Sequence, residues 1–135
     1  MTWQPNSYAR GHLVVVIDCA DLERSARFWA AALGYADEGA AGGTYRTLVP
    51  ADGPGIEVLL QRTQDDKRDK NRVHLDLRTR DLDAEVARVE TLGAMRLTAE
   101  PIEEGGWAWH VLADPDGNEF CVLRPPSGYW ANPAG

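Results

Sequence analysis

The chain has 135 residues, 44% of them hydrophobic and 26% charged, with a formal net charge of −7. Such a length suits one domain with its own core, and the acidic balance argues against nucleic acid as a partner, because a polyphosphate would be repelled. The longest apolar stretch, Leu13–Ile17, is too short to cross a membrane, and Cys19 and Cys121 form no CxxC pair, so reduced thiols and a cytoplasmic setting are expected.

The β-branched run Leu13–Ile17 predicts a buried strand. Asp21 follows as a helix N-cap, its carboxylate accepting from an unpaired helix N–H. Leu22, Ala26, Trp29 and Leu33 then recur at helical spacing and form one apolar face, which Gly34 terminates. Phe28 and Trp29 on this helix are expected in the core. Three strands are predicted next, at Tyr35–Asp37, Thr44–Val49 and Ile56–Gln61. The polar stretch Arg62–Asn71 reads as an exposed connection, with Lys67, Arg68, Lys70 and Arg72 interleaved with Asp65, Asp66 and Asp69 and solvated.

The same order then returns. Val73, Leu75 and Leu77 alternate with His74, Asp76 and Arg78, as a half-buried strand should. Asp81 caps a helix with Asp83 and Glu85 in its first turn and Leu82, Val86 and Val89 on its apolar face, and Leu92-Gly93 ends it. Strands are predicted at Met95–Ala99, Trp107–Ala113 and Glu119–Leu123. The last two are joined by Asp114-Pro115-Asp116-Gly117-Asn118, a tight-turn sequence because Pro presets φ and Gly permits positive φ. The Asp caps recur about sixty residues apart, and so do the terminating glycines, which implies a duplicated βαβββ unit.

Three stretches carry a family resemblance: Ile17-Asp18-Cys19-Ala20-Asp21-Leu22 with Phe28-Trp29 and Leu33-Gly34; Arg72-Val73-His74-Leu75-Asp76-Leu77 through Leu92-Gly93-Ala94; and Asp114 through Phe120. In these the chain resembles the vicinal-oxygen-chelate superfamily, which includes glyoxalase I, extradiol dioxygenases, and bleomycin- and fosfomycin-resistance proteins. It looks most like the bacterial glyoxalase-like domain group. The resemblance implies an α+β fold: two tandem βαβββ units form a curved mixed sheet around a pocket, with helices on the convex face. It implies one domain spanning 1–135, with units at about 12–62 and 71–125. It also implies a homodimer.

Period-two alternation assigns the faces. On the pocket side it places Val14, Val16 and Asp18 on the first strand and Glu57, Leu59 and Gln61 on the fourth. His74, Asp76 and Arg78 take that side on the fifth strand, and Cys121 and Leu123 on the last. Trp107 and Trp109 share a face and, with His110, suggest a stacking site for a planar ligand if that face is the concave one; on the other face they are core or interface. Tyr129 and Trp130 are expected to cover a neighbouring surface.

Metal-dependent members of the family place one ligand on each of four strands. Carried onto this sequence, those positions fall on Val14, Glu57, His74 and Cys121. Valine cannot coordinate, and a thiol stands where the family has a carboxylate, so the set is incomplete; His12 is a conceivable shifted ligand, with Asp76 or Asp18 as a further contributor. Glu57 and His74 remain as candidate ligands of a divalent metal and as a candidate acid–base pair. Two functions compete, with a structural or regulatory module whose pocket is vestigial as a third. One is a small-molecule-binding protein of the glyoxalase/bleomycin-resistance type. Its expected ligand-binding residues are Val14, Val16, Leu59, Gln61, Asp76, Trp107, Trp109, Cys121 and Leu123. The other is a lyase, isomerase or dioxygenase acting on a small oxygenated metabolite through Glu57 and His74.

Overall fold

The computed structural model describes residues 13–41, 43–71 and 73–131. His12 and Arg72, both named above, lie outside these. The chain divides into a first unit ending at Asp66 and a second beginning at Lys67.

In the first unit, strand β1 (Val15–Cys19) leads into helix α1 (Leu22–Leu33). Asp21 caps the helix as expected, accepting from the Arg24 N–H at 3.1 Å, and Gly34 ends it at φ 69°. Strands β2 (Tyr35–Ala41), β3 (Tyr45–Pro50) and β4 (Val58–Arg62) follow. They form a four-stranded sheet in the order β1-β4-β3-β2, with β1 parallel to β4 and the rest antiparallel. The predicted first strand began and ended two residues too early. Its N-terminal limit is set by parallel pairing from Val15, opposite Val58, and it runs on to Cys19, just before the capping turn. Ile17, Cys19, Leu48, Val58 and Leu60 are buried on one face of the sheet, and α1 contributes Ala26, Phe28, Trp29 and Ala32 to the same core.

The second unit repeats the plan with β5 (Asp76–Arg78), α2 (Leu82–Leu92), β6 (Met95–Arg96), β7 (Ile102–Glu104), β8 (Trp107–Ala113) and β9 (Glu119–Arg124), and closes with a short 3-10 helix at Tyr129–Ala131. The Asp81 carboxylate accepts from the Ala84 N–H at 3.1 Å. Strand order is β5-β9-β8-β6, with β7 also pairing β8. The unit therefore carries one strand more than the expected βαβββ. What was read as a single strand at Met95–Ala99 is two short ones along the same edge of β8, separated by the segment containing Pro101. Each unit carries its own mixed sheet, in keeping with the expected α+β fold.

Ala108, His110, Leu112, Phe120 and Val122 are buried on the side of this sheet that meets α2, together with Leu82, Val86 and Val89. Alternation thus holds on β8 and β9, and the opposite face is left for a ligand. The turn between these strands is fixed by Asp114, only 3% exposed, whose carboxylate accepts from the Asp116 and Asn118 N–H groups at 2.9 and 2.8 Å.

Candidate functional site

The face of the second sheet away from α2 lines a cavity of about 730 Å³. Cross-strand register lays its surface out in rows. Arg78 on β5 pairs with Leu123 on β9, Leu123 with Trp109 on β8, and Trp109 with Ile102 on β7. The next row runs Asp76, Cys121, Val111. Every one of these side chains lines the cavity, as do His74, Trp107, Glu104 and Glu119. Within a row neighbours are one strand apart, about 5 Å, and along β5 successive lining residues are about 7 Å apart. The centre is therefore apolar, and one edge presents imidazole, carboxylate and guanidinium in turn.

Three local features shape this surface. First, Arg78 is held by aromatic groups. Its guanidinium carbon lies 5.4 Å from the Trp107 ring centroid and 5.6 Å from that of Tyr129, and its Nη1 donates to the Tyr129 hydroxyl at 2.6 Å. Second, Cys121 faces Asp76. Burial pushes the thiol up, and the neighbouring Asp76 carboxylate, which accepts from it, pushes it further. Third, Glu119 ties down the connection before β5. It accepts from the Asn71 N–H at 2.9 Å and pairs with Lys67 at 3.0 Å and Lys70 at 3.2 Å. The Asn71 backbone bond and the two lysines hold its carboxyl down at about 2.

Of the residues expected at a site, His74, Asp76, Trp107, Trp109, Cys121 and Leu123 come together here. Glu57, Val14, Val16, Leu59 and Gln61 do not line this cavity; they belong to the first unit. There Val16 pairs with Leu59 and Asp18 with Gln61, and the Val15 N–H donates to the Glu57 carbonyl at 3.1 Å. His110 is not part of a stacking site. It is 3% exposed on the α2 side, with Nδ1 2.7 Å from the Thr98 hydroxyl.

Several lining residues were missed. Glu104 and Ile102 sit on the unforeseen β7. Their signal was available in Gly105-Gly106, a pair suited to a two-residue hairpin because both positions take positive φ, here 58° and 85°. Lys70 and Asn71 were read as solvated loop, yet Glu119 holds both. Tyr129 was expected on a neighbouring surface, and that surface is Arg78 and Trp107 at the cavity wall.

The residues present do not fit the metal that the fold family implies. Val14 offers no donor atom, and a half-buried thiol, Cys121, stands where the family has a carboxylate. Among the described residues, no three His, Cys, Asp or Glu side chains converge as a metal's ligands would.

Comparison with known proteins agrees with the fold. No curated protein matches the chain in sequence. Among solved structures it is similar to a mutant of the fosfomycin resistance protein FosX from Listeria monocytogenes, complexed with Mn(II) and a dihydroxypropylphosphonic acid. That match has a TM-score of 0.69 at 15% identity, covering 87% of this chain and 92% of the other. A glyoxalase/bleomycin resistance protein/dioxygenase family enzyme from Burkholderia phytofirmans matches with a TM-score of 0.66 at 20% identity, over 82% of this chain and 95% of that one. A hypothetical protein from S. aureus matches with a TM-score of 0.62 at 22% identity, over 83% and 95%. The family model described as a glyoxalase-like domain matches residues 14–123. The chain belongs to the glyoxalase-like domain family, within the vicinal-oxygen-chelate superfamily.

Proposed function

We propose that this protein binds a small molecule in the second-unit cavity without the help of a catalytic metal. The observation that carries the reading is the surface itself: an apolar patch of Leu123, Trp109, Val111 and Ile102 beside a polar edge of His74, Asp76 and Arg78. Ligand sites have this composition, mostly apolar with a few polar groups that fix orientation. The volume of about 730 Å³ is within the range of small-molecule sites. The departures from the family's ligand pattern at Val14 and Cys121 support binding over metal-assisted lyase, isomerase or dioxygenase chemistry. A homodimer and a cytoplasmic location complete the reading. The first comes from the family resemblance, and the second is supported by two cysteines that form no disulfide.

The test is a calorimetric screen of planar aromatic compounds against the wild type and Trp109→Leu. The expected outcome is binding that weakens about tenfold or more in the variant, as loss of an aromatic stacking wall requires. A hit whose affinity is the same in both proteins would move the ligand away from this surface.

A further inference from the structure

We infer that the ligand carries a carboxylate, and that Arg78 receives it; the inference rests on the cavity being the binding site and names the class of molecule it takes. Arg78 is a guanidinium without a carboxylate partner among the described residues, in a chain with 21 Asp and Glu against 14 Lys and Arg. The Glu119 carboxylate is neutralised by Lys67 and Lys70, and the Asp76 carboxylate accepts from the Cys121 thiol rather than pairing with Arg78. Contacts to Arg78 come from the Trp107 and Tyr129 rings and from one hydroxyl, none of which neutralises it. They do fix its position. A guanidinium held by two rings gives up little side-chain freedom when it binds an anion, and its fork matches the two oxygens of a carboxylate.

The row beginning at Arg78 specifies what the carboxylate is attached to. Leu123 and then Trp109 follow at steps of one strand, about 5 Å each, so a planar apolar body lies against them while its acid reaches Arg78. Asp76, one row away on the same face of β5, and Glu104, beside Trp107, are both acidic. They favour a monoanion over a dianionic phosphate, whose second charge they would repel. Tyr129 acts as a positioning residue for Arg78.

The test is calorimetry with three probes that share one ring system: naphthoate, its neutral amide, and naphthyl phosphate. The wild type is expected to bind naphthoate about tenfold or more tighter than the amide, with the phosphate weaker than naphthoate. Arg78→Gln should remove the preference for the acid while keeping the affinity for the amide within about threefold, and Arg78→Lys should keep part of the preference. Should Arg78→Gln fail to fold, the wild-type comparison and Arg78→Lys still decide. Equal binding of acid and amide overturns the carboxylate while leaving the cavity as the site. So does an acid preference that survives Arg78→Gln, and tighter binding of the phosphate reassigns the anion. Failure of all three probes, and of neutral aromatics generally, overturns the cavity reading and the carboxylate with it.

Discussion

Cys121 and Glu119 lie two residues apart on β9, and their surroundings drive them in opposite directions. Burial and the Asp76 carboxylate keep the Cys121 thiol protonated, so it should react slowly with iodoacetamide at pH 8. Asp76→Asn removes the neighbouring negative charge and should speed that reaction several-fold; an unchanged rate would leave burial as the sole cause. Glu119 is held down to about 2 from an ordinary 4.5 by the Asn71 N–H and by Lys67 and Lys70. A depressed carboxyl contributes stability that is fully present above its unfolded value and is lost as pH falls from about 4.5 through about 2. Glu119→Gln is therefore expected to destabilise by about 1–2 kcal/mol at neutral pH. Chemical denaturation should show the difference from wild type narrowing across that acid window, and a gap independent of pH would mean the charge is not responsible. None of this was legible in sequence. Lys67 and Lys70 read as solvated because nothing local shows that Glu119, some fifty residues on, will meet them.

At the scale of elements, the helices were the most legible parts, because their signals are local. Asp21, Asp81, Gly34 and Gly93 act within one turn of themselves, and both pairs bound the helices as expected. Gly34 sits at φ 69° with open space where a Cβ would be, so its cost on substitution is conformational. Gly34→Ala should lower stability by about 1 kcal/mol, read from the thermal midpoint, without altering the cavity. Strand limits were less legible, since pairing partners decide them. Val73 looked like a helix-facing strand residue, yet it is 81% exposed because regular pairing of β5 begins only at Asp76. The short β7 was missed because three residues give no periodicity.

Over the whole molecule, the duplicated strand–helix–strands unit could be read from spacing, while the curved-sheet fold came from the family resemblance; each unit has its own mixed sheet. Each unit has its own core. Leu112, fully buried among the α2-facing residues of the second sheet, should cost about 2–5 kcal/mol when replaced by Ala, because the neighbouring strands leave a cavity that collapses only partly. The candidate site was legible in part. Alternation assigned His74, Asp76, Arg78, Cys121 and Leu123 to the pocket face and put Trp107 and Trp109 on a common face without saying which; all seven line the second-unit cavity. Which charges remain unneutralised on that face depends on long-range partners such as Lys67 and Lys70, which pair with Glu119, and a fold of this kind does not by itself name a chemistry.

The central claim is that a ligand occupies the second-unit cavity without a metal. Its most direct test is calorimetric titration of chelator-treated protein with an aromatic carboxylate, repeated after adding Zn²⁺, Ni²⁺ or Mn²⁺ and repeated again in the Glu57→Ala/His74→Ala variant. The account predicts the same stoichiometry and affinity for the wild type with and without metal, and no tight metal binding that the double substitution abolishes. Ligand binding that appears only with metal, together with one metal per chain lost in that variant, would contradict it and make Glu57 and His74 parts of a metal centre.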